Sequence, residues 1–232
     1  MAENSVSMAV DLGGVRMQNP VNTASGTFAF GSVFEDFFDV SRLGAITLKG
    51  CSAEPWPGNP APRMCEVPSG MMNTVGLANP GVRGMVESHG EYLAGLEERG
   101  CRVIVQAAGH SVEEYVAAVE LIEELCPWAS GVEMNISCPN IARGGVLVGG
   151  TPESAAEVVR AVRPRVKRPL LVKMAPVRVP EIARACEAEG ADEQRSGLLA
   201  LAVDAHGQNV VGIRLEFQPR AAIRDDLRRK EV

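Results

Sequence analysis

A chain of 232 residues, 46% hydrophobic and 22% charged, is long enough for one α/β domain with a sizeable core. Its formal net charge of −6, with no basic block before the last stretch, argues against nucleic acid as the main ligand. No apolar run approaches a membrane span, and M-A-E-N-S-V-S is neither basic nor apolar enough for a signal peptide, so a cytoplasmic protein off the membrane is expected.

The six cysteines, at 51, 65, 101, 126, 138 and 186, form no C-x-x-C pair and have no His at ligand spacing. Reduced thiols and no metal site are expected. The three histidines, at 89, 110 and 206, are scattered and read as surface or helix-end residues.

In chain order, residues 6–18 predict two short strands around the Gly13-Gly14 turn, a β-hairpin at the N-terminus. A strand through Val21–Ala24 runs into Ser25-Gly26, where backbone can approach a ligand. Residues 33–42 suit a short helix, and G-A-I-T-L-K-G, 44–50, a strand ending on Lys49. Taken alone, Lys49 is equally a side chain snorkelling at a strand end. Residues 51–80, rich in Pro, Gly and Asn, predict an ordered irregular loop that contains N-T-V-G-L-A-N-P. A helix over 81–98 follows.

C-R-V-I-V-Q-A-A-G, 101–109, predicts a buried strand ending on Gln106, and S-V-E-E at 111–114 a capping box opening a helix to about Cys126. G-V-E-M-N, 131–135, predicts the next strand, closed by N-I-S-C-P-N. Thr151 with Pro152 starts a helix to about Val166. R-P-L-L-V-K-M-A-P, 168–176, is a strand ending on Lys173, and 180–189 a helix closed by Gly190.

Strands alternating with helices, most ending in polar residues, imply a parallel sheet with its ligand site at the strand C-termini. A closed barrel or an open sheet satisfies the pattern; Lys, Asn and Lys converging from different strands favour the barrel. From Glu193 the character changes. E-Q-R-S-G interrupts the expected sixth strand, apolar runs remain at 198–204 and 209–217, and 219–230 reads as a polar terminal helix.

Five blocks in register, N-P-V-N-T-A-S-G-T-F (19–28), I-T-L-K-G (46–50), N-T-V-G-L-A-N-P-G (73–81), G-V-E-M-N-I-S-C-P-N (131–140) and L-L-V-K-M-A-P (170–176), together resemble the dihydroorotate dehydrogenases, class 1B catalytic subunit. The resemblance implies an α/β fold, a (β/α)8 TIM-type barrel, here expected to be incomplete at its C-terminus. It implies oxidation of dihydroorotate to orotate in pyrimidine biosynthesis, with FMN as cofactor. By position, Cys138 is the implied base. Lys49, Asn73, Thr74, Val75, Gly76, Leu77 and Asn135 are the implied substrate residues. Ala24, Ser25, Lys49, Gly50, Gln106, Asn135 and Lys173 are the implied flavin residues, and 139–150 the implied lid. The family also implies a homodimer joined to an electron-transfer subunit carrying FAD and an iron–sulfur cluster, with NAD as eventual acceptor.

Two departures stand out. Gln106 replaces the usual Asn, and no Gly-Gly turn follows Gly190 to grip the FMN phosphate. The expected division is therefore a barrel portion over 1–192 and a divergent tail over 193–232, a truncated or frame-shifted copy. The alternatives are a non-enzymatic remnant unable to retain FMN, or a related flavin enzyme acting on another dihydropyrimidine.

Overall fold

The structure is a computed structural model, and it describes residues 6–68, 70–137, 149–175, 178–196 and 214–215. The strands are β1 (Val10–Leu12), β2 (Val15–Met17), β3 (Val21–Thr23), β4 (Ala45–Thr47), β5 (Met64–Val67), β6 (Gly70–Asn73), β7 (Arg102–Ala107), β8 (Gly131–Asn135), β9 (Leu170–Met174), β10 (Glu193–Ser196) and β11 (Arg214–Leu215). The helices are α1 (Ser25–Phe28), α2 (Gly81–Glu98), α3 (Val112–Leu125), α4 (Pro152–Val162) and α5 (Val179–Ala188).

One sheet runs β10-β9-β8-β7-β4-β3-β11, parallel from β3 through β10. Parallel neighbours need crossovers, and α2, α3, α4 and α5 supply them. This is the arc of a (β/α)8 barrel, as the strand–helix alternation predicts.

Residue parity sorts the sheet into two faces. Ile46, Val103, Val105, Val132, Met134, Leu170, Val172 and Met174 join one core cluster with the helices. Tyr115, Ala118, Val119 and Ile122 of α3 recur at helical spacing and complete it, as do Ala155, Val158, Val159 and Val162 of α4. The alternate residues Ala45, Ile104 and Leu171 form a second cluster with Val15 and Met17 of the β1–β2 hairpin. The hairpin therefore plugs the floor of the barrel. Gly131 leaves room for it, since a Cβ there would lie 3.2 Å from Val15.

Local chemistry fixes the ends of these elements. Ser111 Oγ accepts from Glu114 N–H, while the Glu114 carboxylate takes the N–H of His110. Thr151 and Ser154 form a reciprocal capping box ahead of α4. Glu97, near the end of α2, accepts from Val103 N–H (2.6 Å) and Ser130 N–H (3.1 Å), tying that helix to the start of β7 and to the residue before β8.

Three expectations need correction. Residues 33–42 form 3₁₀ turns at Ser32–Phe34 and Val40–Arg42, because Glu35 and Asp39 side chains accept the N–H groups of Val40 and Ser41 and compete with a helix ladder. The irregular loop 51–80 contains the antiparallel ribbon β5–β6, whose strands, exposed except at half-buried Asn73, carry no alternating pattern. The segment read as an interruption is itself the sixth parallel strand: Glu193–Ser196 pairs with Leu171–Met174. Backbone ladder bonds do not depend on side-chain polarity. The apolar run 198–204 and the terminal helix 219–230 lie outside the described residues; of 209–217, Arg214–Leu215 pairs antiparallel with β3.

Candidate active site

The parallel strands end together, and their inward residues above the floor are polar. Asn22 Nδ2 donates to Thr47 Oγ1 at 3.2 Å. Gln106 stands in register with Glu133, and its Nε2 donates to the Glu133 carboxylate. Asn135 stands in register with Lys173. Gln106, Glu133 and Asn135 are buried, so this patch is fixed by hydrogen bonds and not by solvent.

Lys49 and Gly50 arrive by a β-bulge. Leu48 N–H donates to Ile104 O, but the next ladder bond runs from Cys51 N–H to Gln106 O. Three steps along this chain therefore match two along β7. The extra residue breaks the alternation and presents the Gly50 backbone to Gln106: a Cβ on Gly50 would lie 2.7 Å from Gln106 Oε1. The regular strand ends at Thr47, and Lys49 follows it within the bulge.

Ser25 is buried at the start of α1, with Ala24 half-buried before it. The segment Asn73–Leu77 is seated on loop 56–63: Asn59 Nδ2 donates to Thr74 O and Oγ1 (both 2.8 Å), and Thr74 N–H to Arg63 O (2.9 Å). Asn79 accepts from Ser52 N–H (3.1 Å), anchoring the same loop to the end of the bulge. The Trp56 and His110 rings meet at a 34° tilt with centroids 3.8 Å apart, which holds this loop against the exit from β7. Among the described residues, none of the hydrogen bonds of residues 73–77 runs to Asn135. Cys138 and residues 139–148 of the expected lid lie outside the described residues. Gly149 stands so close to Ile136 that a Cβ would lie 2.1 Å from the Ile136 carbonyl oxygen.

The buried thiols are poor bases. Burial pushes Cys51, Cys101, Cys126 and Cys186 up to about 12, so each stays protonated near neutrality. Cys51 also sits in the outer, helix-facing cluster, away from the polar interior.

Two residues escaped the sequence reading. Glu133 is a carboxylate inside an otherwise apolar strand, and its inward parity with Asn135 was the available signal. Tyr115, on α3, donates its hydroxyl to the Asn135 carbonyl at 2.5 Å, and only the fold brings these two together. Among the described residues no His, Cys, Asp or Glu cluster forms a metal site, and no helix is long and apolar enough to cross a membrane.

The Dihydroorotate dehydrogenase family model matches residues 7–208. The catalytic subunit of dihydroorotate dehydrogenase B (NAD(+)) from Bacteroides thetaiotaomicron is 44% identical over 202 residues, covering 85% of this chain and 65% of that protein. The protein of the same name from Lachnoclostridium phytofermentans is 45% identical over 185 residues, covering 79% of this chain and 60% of the relative. The chain thus spans less than two thirds of the length of these relatives. A crystal structure of DHODH in complex with ferulenol from Eimeria tenella superposes with a TM-score of 0.66 at 18% identity, over 84% of this chain and 60% of that one, and supports the fold. By the family match and these relatives, the chain belongs to the dihydroorotate dehydrogenase family.

Proposed function

We propose that this chain oxidises dihydroorotate to orotate, as a B-type catalytic subunit using FMN. The observation that carries the reading is the polar interior at the strand C-termini, Gln106, Glu133, Asn135 and Lys173, in a chain 44% identical to a catalytic subunit of that name. FMN fits the residues present. The amides of Gln106 and Asn135 and the ammonium of Lys173 match the carbonyl and ring-nitrogen edge of a flavin.

FMN when bound supplies the hydride acceptor for C6 of the substrate. Cys138, as thiolate, takes the proton from C5, so one proton and one hydride leave and the ring double bond of orotate forms. A thiolate base needs cationic surroundings, which Lys49 is assigned to supply on the substrate side. Lys173 places positive charge where the cofactor gains negative charge. Asn135 and Asn73–Leu77 hold the pyrimidine ring and carboxylate, while Ala24, Ser25, Gly50 and Gln106 line the flavin. Residues 1–192 carry this machinery; of the divergent tail 193–232, Glu193–Ser196 continues the parallel sheet as β10. The partner reading is a homodimer with an FAD and iron–sulfur subunit passing electrons to NAD, in the cytoplasm.

A second reading, a relative that keeps the substrate residues but does not retain FMN, is favoured by antiparallel β11 occupying the edge of β3. In a closed (β/α)8 barrel a parallel strand takes that edge. The visible spectrum separates the two. A yellow protein whose flavin bands bleach on adding dihydroorotate supports the enzyme; a colourless chain that fails to bind added FMN overturns it.

A further inference from the structure

Asn135 is held at three points. Ser137 Oγ–H donates to its Oδ1 at 2.6 Å, and Ser137 N–H to the same oxygen at 3.4 Å. Tyr115 O–H, from α3, donates to its backbone carbonyl at 2.5 Å. A serine hydroxyl alone does not fix an amide's orientation, because it can donate or accept. A backbone N–H only donates, so the atom of Asn135 facing Ser137 is oxygen. Oδ1 then accepts two hydrogen bonds from Ser137. What Asn135 can offer a ligand is its amide N–H pair.

We infer that Ser137 is a positioning residue that makes Asn135 a hydrogen-bond donor only, with Tyr115 anchoring its backbone, so the site selects a ring carbonyl over a ring amine at that position. The inference rests on the proposed substrate reading and deepens it. If Asn135 could turn over, its Oδ1 would welcome an amino group as readily as its Nδ2 welcomes a carbonyl. The Ser137 N–H, which cannot accept, opposes that turn, and the hydroxyl donating beside it to the same oxygen reinforces the orientation. A site built to hydrogen-bond one group rejects its opposite because a buried donor is left facing a donor. The sequence places Ser137 immediately before Cys138, so the turn that orients the substrate amide also leads into the proposed base.

The test uses the FMN-loaded full chain and calorimetric binding of orotate and its 2-amino and 4-amino analogues, in which one ring carbonyl is replaced. Wild type binds orotate at least about 10²-fold more tightly than one of the two analogues. Ser137→Ala reduces that ratio by about tenfold, the worth of one good hydrogen bond, and Ser137→Thr restores it. FMN affinity stays the same in both variants. A ratio unmoved by Ser137→Ala, or moved equally by Ser137→Thr, overturns the inference while leaving the substrate reading intact. A fall in FMN affinity with an unmoved ratio assigns the acceptor to the cofactor and overturns it as well. A wild-type chain that binds FMN but no pyrimidine carboxylate overturns the functional reading and the inference together.

Discussion

The backbone N–H of Lys49 donates to the carbonyl oxygen of Ala29 at 2.9 Å, away from the neighbouring strand. That bond is the visible sign of the bulge, and it ties the loop after β3 to the end of β4. A straight strand would continue the inward–outward alternation and would set a different face of Gly50 toward β7. Here the bulge brings the predicted flavin residues Gly50 and Gln106 into contact. Its backbone geometry connects one motif block to another.

Gly50 is the sharpest point of that contact. Gly50→Ala pushes a Cβ against Gln106 Oε1, whose amide is held by Glu133. The substitution costs about 1–3 kcal/mol in urea unfolding, the scale of overpacking a filled site. Gln106→Asn shortens the arm, so Gly50→Ala made in that background costs less. A double-mutant cycle should show a coupling of at least about 0.5 kcal/mol, and strict additivity would refute the contact.

Thiol chemistry should divide by burial. Cys65 is exposed on the β5–β6 ribbon, while Cys51, Cys101, Cys126 and Cys186 are buried with thiols pushed up to about 12. Iodoacetamide at neutral pH, read by peptide mass spectrometry, labels Cys65 in the native chain and those four only after unfolding. Rapid native labelling of Cys51 would contradict the described core.

Glu35 predicts an acid limb in stability. Burial raises its pKa, but Val40 N–H, the Tyr92 hydroxyl and Arg99 together outweigh burial and leave it below 4.5. A carboxylate with a depressed folded pKa contributes stability above its unfolded value, and that contribution is lost as pH falls through the folded one. Urea midpoints of the wild type therefore fall as the solution is acidified below 4.5. Glu35→Gln should have a lower midpoint at neutral pH and a shallower fall on acidification.

Arg168 links layers that the polar site depends on. Its guanidinium donates to Glu123 and to the carbonyls of Cys126 and Ala129, with side chains of Arg168 and Glu123 only 15% and 10% exposed. Arg168→Ala leaves a nearly buried carboxylate and two carbonyls without this partner. The expected loss is about 3 kcal/mol by urea unfolding. A change below about 0.5 kcal/mol would show that solvent replaces the guanidinium.

Much of this architecture was legible in the sequence because its signals are local. Thr151-Pro152 marks α4, Gly13-Gly14 marks the hairpin turn, and near-continuous buried runs mark β7, β8 and β9. The bulge at Lys49–Gly50 was not legible, since no residue type announces one extra residue in a ladder. The β10 strand was hidden for a related reason: E-Q-R-S is polar, and its pairing with β9 is made by backbone groups. Asn135 was legible as a strand-end amide, but its orientation depends on Ser137 and its anchorage on Tyr115, 20 residues earlier and on another element. Residues that meet only through the fold leave no spacing to read.

The central claim is that this chain oxidises dihydroorotate with Cys138 as base. The most direct measurement is anaerobic mixing of the FMN-loaded chain with dihydroorotate while following flavin absorbance, for wild type and Cys138→Ala. The account predicts bleaching in the wild type, and in Cys138→Ala full FMN retention with reduction slowed by about 10²-fold or more. Equal rates in the two proteins, or an FMN-loaded wild type that dihydroorotate does not bleach, would contradict it.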